Sequence, residues 1–202
     1  MTDLAEGQRG SVGHPPRNTK VGRHVPGEPS MWFFVIGDLI IFGVYFVGYM
    51  YYRGRDVEVF LASQARLNLD IGALNTIVLL TSSLFVALGT SAARAGKASD
   101  GVRLFGIALA FGAAFPVLKL FEYVPEITAG LTPGANLFFM YYFVMTGLHL
   151  CHVLLGLVIL SFVIRNLRGS SPRMSFVETG ATYWHMVDVL WLVLFALLYV
   201  MR

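Results

Sequence analysis

Seven charged or imidazole side chains stand inside otherwise apolar stretches of this chain: Asp38, Lys119, Glu122, His149, His152, His185 and Asp188. A charge near the centre of a bilayer costs roughly 2.5–3.5 kcal/mol on insertion scales, so such groups face protein or water and take a partner. His149 and His152 are three residues apart, a spacing that can put two imidazoles on one helical face. With His185 they could build a three-histidine metal site, or two of them could ligate a haem. The other reading is that the imidazoles hydrogen-bond between helices to Asp38, Asp188, Thr146 or Tyr183. No cysteine, methionine or carboxylate completes a strong ligand motif beside the HxxH pair. Lys119 and Glu122 share the same spacing and read as a snorkelling lysine with its carboxylate. An ion pathway is the alternative, but no continuous polar file crosses the apolar runs.

The elements that position these groups are transmembrane helices. Of 202 residues 56% are hydrophobic and only 13% charged, and the mean hydropathy is +0.66. That balance excludes an ordinary soluble domain. Five apolar runs, near 31–52, 70–93, 102–124, 136–165 and 178–201, are each long enough to cross a hydrocarbon core. Their continuity predicts helices rather than barrel strands, so the fold class is an all-α, five-helix membrane bundle. Pro116 is expected to kink the third span. Asn75, Ser82 and Ser83 share a stripe of the second, and glycines such as Gly112 and Gly156 allow close helix approach.

The connections RAGKASDG, PEITAGLTPGAN and NLRGSSPRMSF are too short for a further domain. Residues 1–29 form a polar, Gly/Pro/Arg-rich tail that is expected to be disordered, with no cleavable signal in it. The pI of about 9.1 does not indicate nucleic acid, because the basic residues flank apolar runs. Ten of the 15 lie on one side: Arg9, Arg17, Lys20, Arg23, Arg94, Lys97, Arg103, Arg165, Arg168 and Arg173. Four (Arg53, Arg55, Arg66, Arg202) lie on the other, which predicts a cytoplasmic N-terminus and an outside C-terminus. At about 1.5 Å of rise per residue, Asp38, His152, His185 and Asp188 are expected to meet in the inner half of the bundle.

Four segments then resemble a known family, the third subunit of haem–copper cytochrome oxidases. YWHMVDVLWLVLF in the fifth span is similar to its aromatic–Trp–His–x–Val–Asp–x–x–Trp pattern. TGLHLCHVLLG, LNTIVLLTSS and KLFEY resemble its paired-histidine, Asn–Thr and Glu–Tyr elements, in order along residues 28–202. The shortened bacterial form of that family keeps five helices and lacks the first two, and with them one arm of a lipid-holding cleft. Gly37–Asp38 stands where the family carries a buried glutamate, and GEPSMWFFVIGDLIIFG is closer to the nitric-oxide-reductase-associated, NorE-like branch.

The resemblance implies an accessory subunit of a terminal oxidase or nitric oxide reductase in the bacterial cytoplasmic membrane. Its partner would be a larger catalytic subunit carrying the haem and copper, and bound phospholipid is a further expectation. It implies no catalytic, cofactor-binding or metal-ligating residue in this chain. Asp38, His149, His152, His185 and Asp188 become a buried polar network, and Lys119 with Glu122 a second intramembrane pair. A stand-alone transporter or proton-conducting bundle using the buried carboxylates is the competing function, although no paired broken helices support it. A small haem or metal protein is a third.

Overall fold

The computed structural model describes residues 29–201; the tail expected at residues 1–29, with its His14 and His24, lies outside them apart from residue 29. Six helices follow in order: α1 (Pro29–Arg55), α2 (Val57–Gln64), α3 (Leu69–Arg94), α4 (Ala98–Thr128), α5 (Leu137–Leu167) and α6 (Met174–Phe195). A π-helical turn, Ala196–Val200, extends α6. The described residues contain no strand. Five helices (α1, α3, α4, α5 and α6 with its π turn) are long and apolar enough to cross a membrane, so this is an all-α, multi-pass membrane protein.

Each observed spanning helix overruns its expected span at one end or both, because the polar ends continue the backbone ladder beyond the apolar core; α5 begins and the α6 π turn ends one residue inside theirs. The largest extension is at α4, which runs on through Pro125 and Glu126 to Thr128. α2 was not expected; eight residues are too few to show a period.

The turns have identifiable causes. Asn68 caps α3, its side-chain oxygen accepting from the amides of Asp70 and Ile71. Asn136 caps α5 through Phe139 N–H, and its Nδ2 donates to Ser63 Oγ at 2.8 Å, tying α2 to α5. α3 and α4 both end on a left-handed glycine, Gly96 (φ 76°) and Gly130 (φ 79°). In each case the following residue donates back to the helix, Lys97 N–H to Ala92 O and Leu131 N–H to Glu126 O.

α3 and α4 form a closely packed hairpin, and α6 lies against α3, α5 and α1. α6 is the most buried span and α1 the least. α1 buries only a stripe of Val35, Phe42 and Tyr49, while Phe33, Ile40, Val44 and Val47 face outward.

Aromatic rings fill the places that glycines leave open. The Trp184 indole occupies a slot between Gly112 on α4 and Gly156 on α5. A Cβ on either glycine would come within 2.7 or 2.8 Å of the ring. Tyr199 closes over Gly72 in the same way.

Candidate functional site

Inside the bundle the seven singled-out residues fall into separate places rather than one network. The reason is angular: two residues along a helix is roughly 200° around it. Tyr183 on α6 thus turns toward α1, where its ring meets Phe34 at 6.1 Å between centroids, while His185 turns toward α3. His149 and His152 likewise diverge, one into the core and one toward α1.

At the α1–α5 contact, His152 Nε2 lies 3.2 Å from Asp38 Oδ2, and its Nδ1 contacts the Leu148 carbonyl at 2.8 Å. The carboxylate sits off the ring's N–H line, since Asp38 Oδ2 satisfies no aligned hydrogen bond among the described residues. The contact is therefore a close approach rather than a directed bond.

At the α3–α6 contact, His185 Nδ1 and Ser83 Oγ are 2.7 Å apart. Asp188 Oδ1, buried one turn further along α6, has no hydrogen-bond partner among the described residues. Ser83 and His185 share one hydrogen bond, whose donor depends on the imidazole tautomer. A groove of about 230 Å³ leads to His185 past Thr90, Thr182 and the exposed-edge pair Arg94–Glu178, whose Nε–Oε1 distance is 2.8 Å. His185→Ala and Ser83→Ala are each expected to lower stability by about 0.5–1 kcal/mol, the range of interhelical hydrogen bonds in membranes. The double variant should lose little more than either, and a double-mutant cycle on thermal inactivation in detergent measures it. Strict additivity would mean the two side chains do not interact.

His149 is fully buried and belongs to neither place. Its ring lies 5.4 Å from Phe115 edge-on and 5.3 Å from Trp191, stacked. Both ring nitrogens are without a hydrogen-bond partner among the described residues. No group of three His, Cys, Asp or Glu side chains converges there or elsewhere among the described residues.

The most highly charged place is on α4. Lys119 does not snorkel: its side chain is fully buried, on the order of 13 Å from the Thr128 end. Its Nζ donates to Glu122 Oε2 at 2.7 Å, Tyr199 OH at 2.8 Å and Tyr142 OH at 3.1 Å. Four rings surround the ammonium, Tyr123, Tyr142, Trp191 and Tyr199, at 4.9 to 5.4 Å from their centroids. Such a cage replaces the water that an ammonium would otherwise need. Sequence spacing identified Lys119 and Glu122 but not the tyrosines, 23 and 80 residues away. Glu126 was missed because PEITAGLTPGAN reads as a loop; the structure adds it as a second buried carboxyl.

Residues 28–202 match the family model described as Cytochrome c oxidase subunit III. A protein of Thermostichus vulcanus named Cytochrome c oxidase subunit 3 is 31% identical over 83% of this chain and 84% of its own length. One of the same name from a Synechocystis strain is 34% identical, covering 83% of this chain and 72% of that protein. A protein of Aeropyrum pernix named Heme-copper oxidase subunit I+III is 29% identical over 84% of this chain, which spans 22% of that longer protein.

Proposed function

Because the chain belongs to the cytochrome c oxidase subunit III family, we propose that it is a non-catalytic subunit packed against the larger catalytic subunit of a haem–copper oxidoreductase. The observation that carries this reading is the relative whose name joins subunits I and III in one chain. Two subunits that work as one polypeptide in a relative are neighbours in the complex. In this reading the haem and copper belong to the partner. The three histidines among the described residues are spread over three places and directed at Asp38, Ser83 and aromatic rings, so these three offer no shared ligand set.

The subunit's work is mechanical: it holds the catalytic subunit in a durable conformation and supports proton uptake and sustained turnover, with phospholipid filling the outer faces. The Ser83–His185 contact and the Trp184 slot give the bundle the rigidity this needs. The excess of basic residues at one end supports an orientation in a bacterial membrane with the N-terminus in the cytoplasm and the C-terminus outside. Names of the relatives favour an oxidase; Asp38 in place of a glutamate favours the nitric-oxide-reductase-associated branch.

The test is a mild-detergent pull-down of the tagged chain from its native membrane with an optical spectrum of the eluate. A large haem-bearing partner is expected, and the haem type separates oxidase from nitric oxide reductase. A colourless, solitary chain overturns the reading. Transport by the purified chain in liposomes, abolished by Asp38→Asn, would instead establish the transporter reading. A haem spectrum in the isolated chain would establish the third.

A further inference from the structure

Lys119 has three ammonium protons and three acceptors, so its hydrogen bonding is complete. Tyr199, having accepted from Lys119, donates its own proton to Glu122 Oε1 at 2.5 Å. Both oxygens of Glu122 are thereby engaged, and Lys119 with Glu122 makes a closed, neutral pair. Tyr142, the other acceptor, has its proton free for Glu126 Oε1, at 3.4 Å. Glu126 Oε2 is buried and has no partner among the described residues.

Glu126 is therefore a second carboxyl beside a cation that is already neutralised. As a carboxylate it would bury one uncompensated negative charge behind a single long hydrogen bond, which a low-dielectric site opposes. As an acid it leaves the whole cluster neutral. Its position allows exchange: Glu126 is two residues from the end of α4, on the order of 3 Å along the axis, beside the turn at Gly130. Lys119, further in, has no such access.

We infer that Glu126 is a proton-binding site at the Gly130 end of the bundle, taking one proton from water onto its free carboxyl oxygen and returning it by the same route. The titratable groups facing it are Lys119, Glu122 and Tyr123 on α4, Tyr142 on α5 and Tyr199 on the π turn. α6 contributes Trp191, which does not titrate. Lys119, which donates to both Tyr142 and Tyr199, joins the Glu126 side of the cluster to the Glu122 side. The inference is independent of which complex the chain joins.

Infrared difference spectroscopy of the chain in its native complex, between acid and alkaline buffer, tests it. The expected result is a protonated-carboxyl carbonyl band, sensitive to deuterium exchange, that loses one carboxyl's intensity in Glu126→Gln. Glu122→Gln should also abolish it, because Glu126 then becomes the sole counter-ion of Lys119 and stays ionised. Tyr142→Phe removes the bond to Oε1 and should shift the band without removing it, which tests the site without altering any charge. A band that survives Glu126→Gln, or one removed by Asp188→Asn or Asp38→Asn instead, overturns the inference. So does the absence of any such band across the pH range.

Discussion

Trp184→Ala is expected to cost about 3 kcal/mol and to shorten the life of the detergent-solubilised chain. The indole nitrogen has no partner among the described residues, so this residue contributes by packing alone. In lipid there is little hydrophobic drive between helices, since acyl chains are as apolar as leucine. What remains is dispersion and the cavity: α4 and α5 are held apart by the ring at Gly112 and Gly156, and neither glycine can fill the space. The converse change also applies. Gly112→Val puts a side chain where the ring atoms already lie 2.7 Å from a Cβ, with Leu157 at 3.0 Å, and should cost about 1–3 kcal/mol by overpacking. Thermal inactivation rates report both. A Trp184→Ala chain within about 0.5 kcal/mol of the parent would show that the slot collapses freely and that the aromatic wedge is dispensable.

Lys119→Met should cost about 3–5 kcal/mol, the range for breaking a buried pair by removing one partner. The loss comes less from the missing attraction than from what is left. Glu122 keeps one hydrogen bond, from Tyr199, and Tyr142 loses the donor that fixes its hydroxyl. Adding Glu122→Gln to Lys119→Met removes the stranded charge, so the double variant should be the more stable of the two. Tyr199→Phe, which spares both charges, should cost about 1–2 kcal/mol. If the double variant were no better than Lys119→Met, the charge pair would not be the source of the effect.

The membrane helices were legible in the sequence because a span is a composition and a length, and both survive without tertiary information. The partners of the polar groups were not. Asp38 and His152 could be placed together by depth alone, and they do meet. His185 shares that depth but faces α3, because rotation about α6 decides the neighbour and sequence spacing does not show it. Ser83, taken as one of an ordinary stripe, is the partner of His185 for the same reason. Lys119 looked like a snorkelling side chain because spacing shows only its carboxylate at i+3. Its tyrosines come from α5 and the end of the chain, and only folding brings them near. Glu126 was hidden by Pro125, which reads as a stop; α4 nonetheless continues through it to Thr128.

The π turn at Ala196–Val200 sets the register of the last partner. A π turn is one residue inserted into an α-helix, and one residue is a rotation of about 100°. Without it, the same sequence wound as a plain helix would aim Tyr199 away from Lys119 and Glu122, and away from the glycine at position 72 that makes room for its ring. The cage thus depends on a count of residues as much as on their kinds. A single-residue deletion in this short segment would leave composition, hydropathy and span length almost untouched, yet it would strand a buried cation. Insertions and deletions in the final turn are therefore under a constraint that no substitution at the surface of the bundle feels.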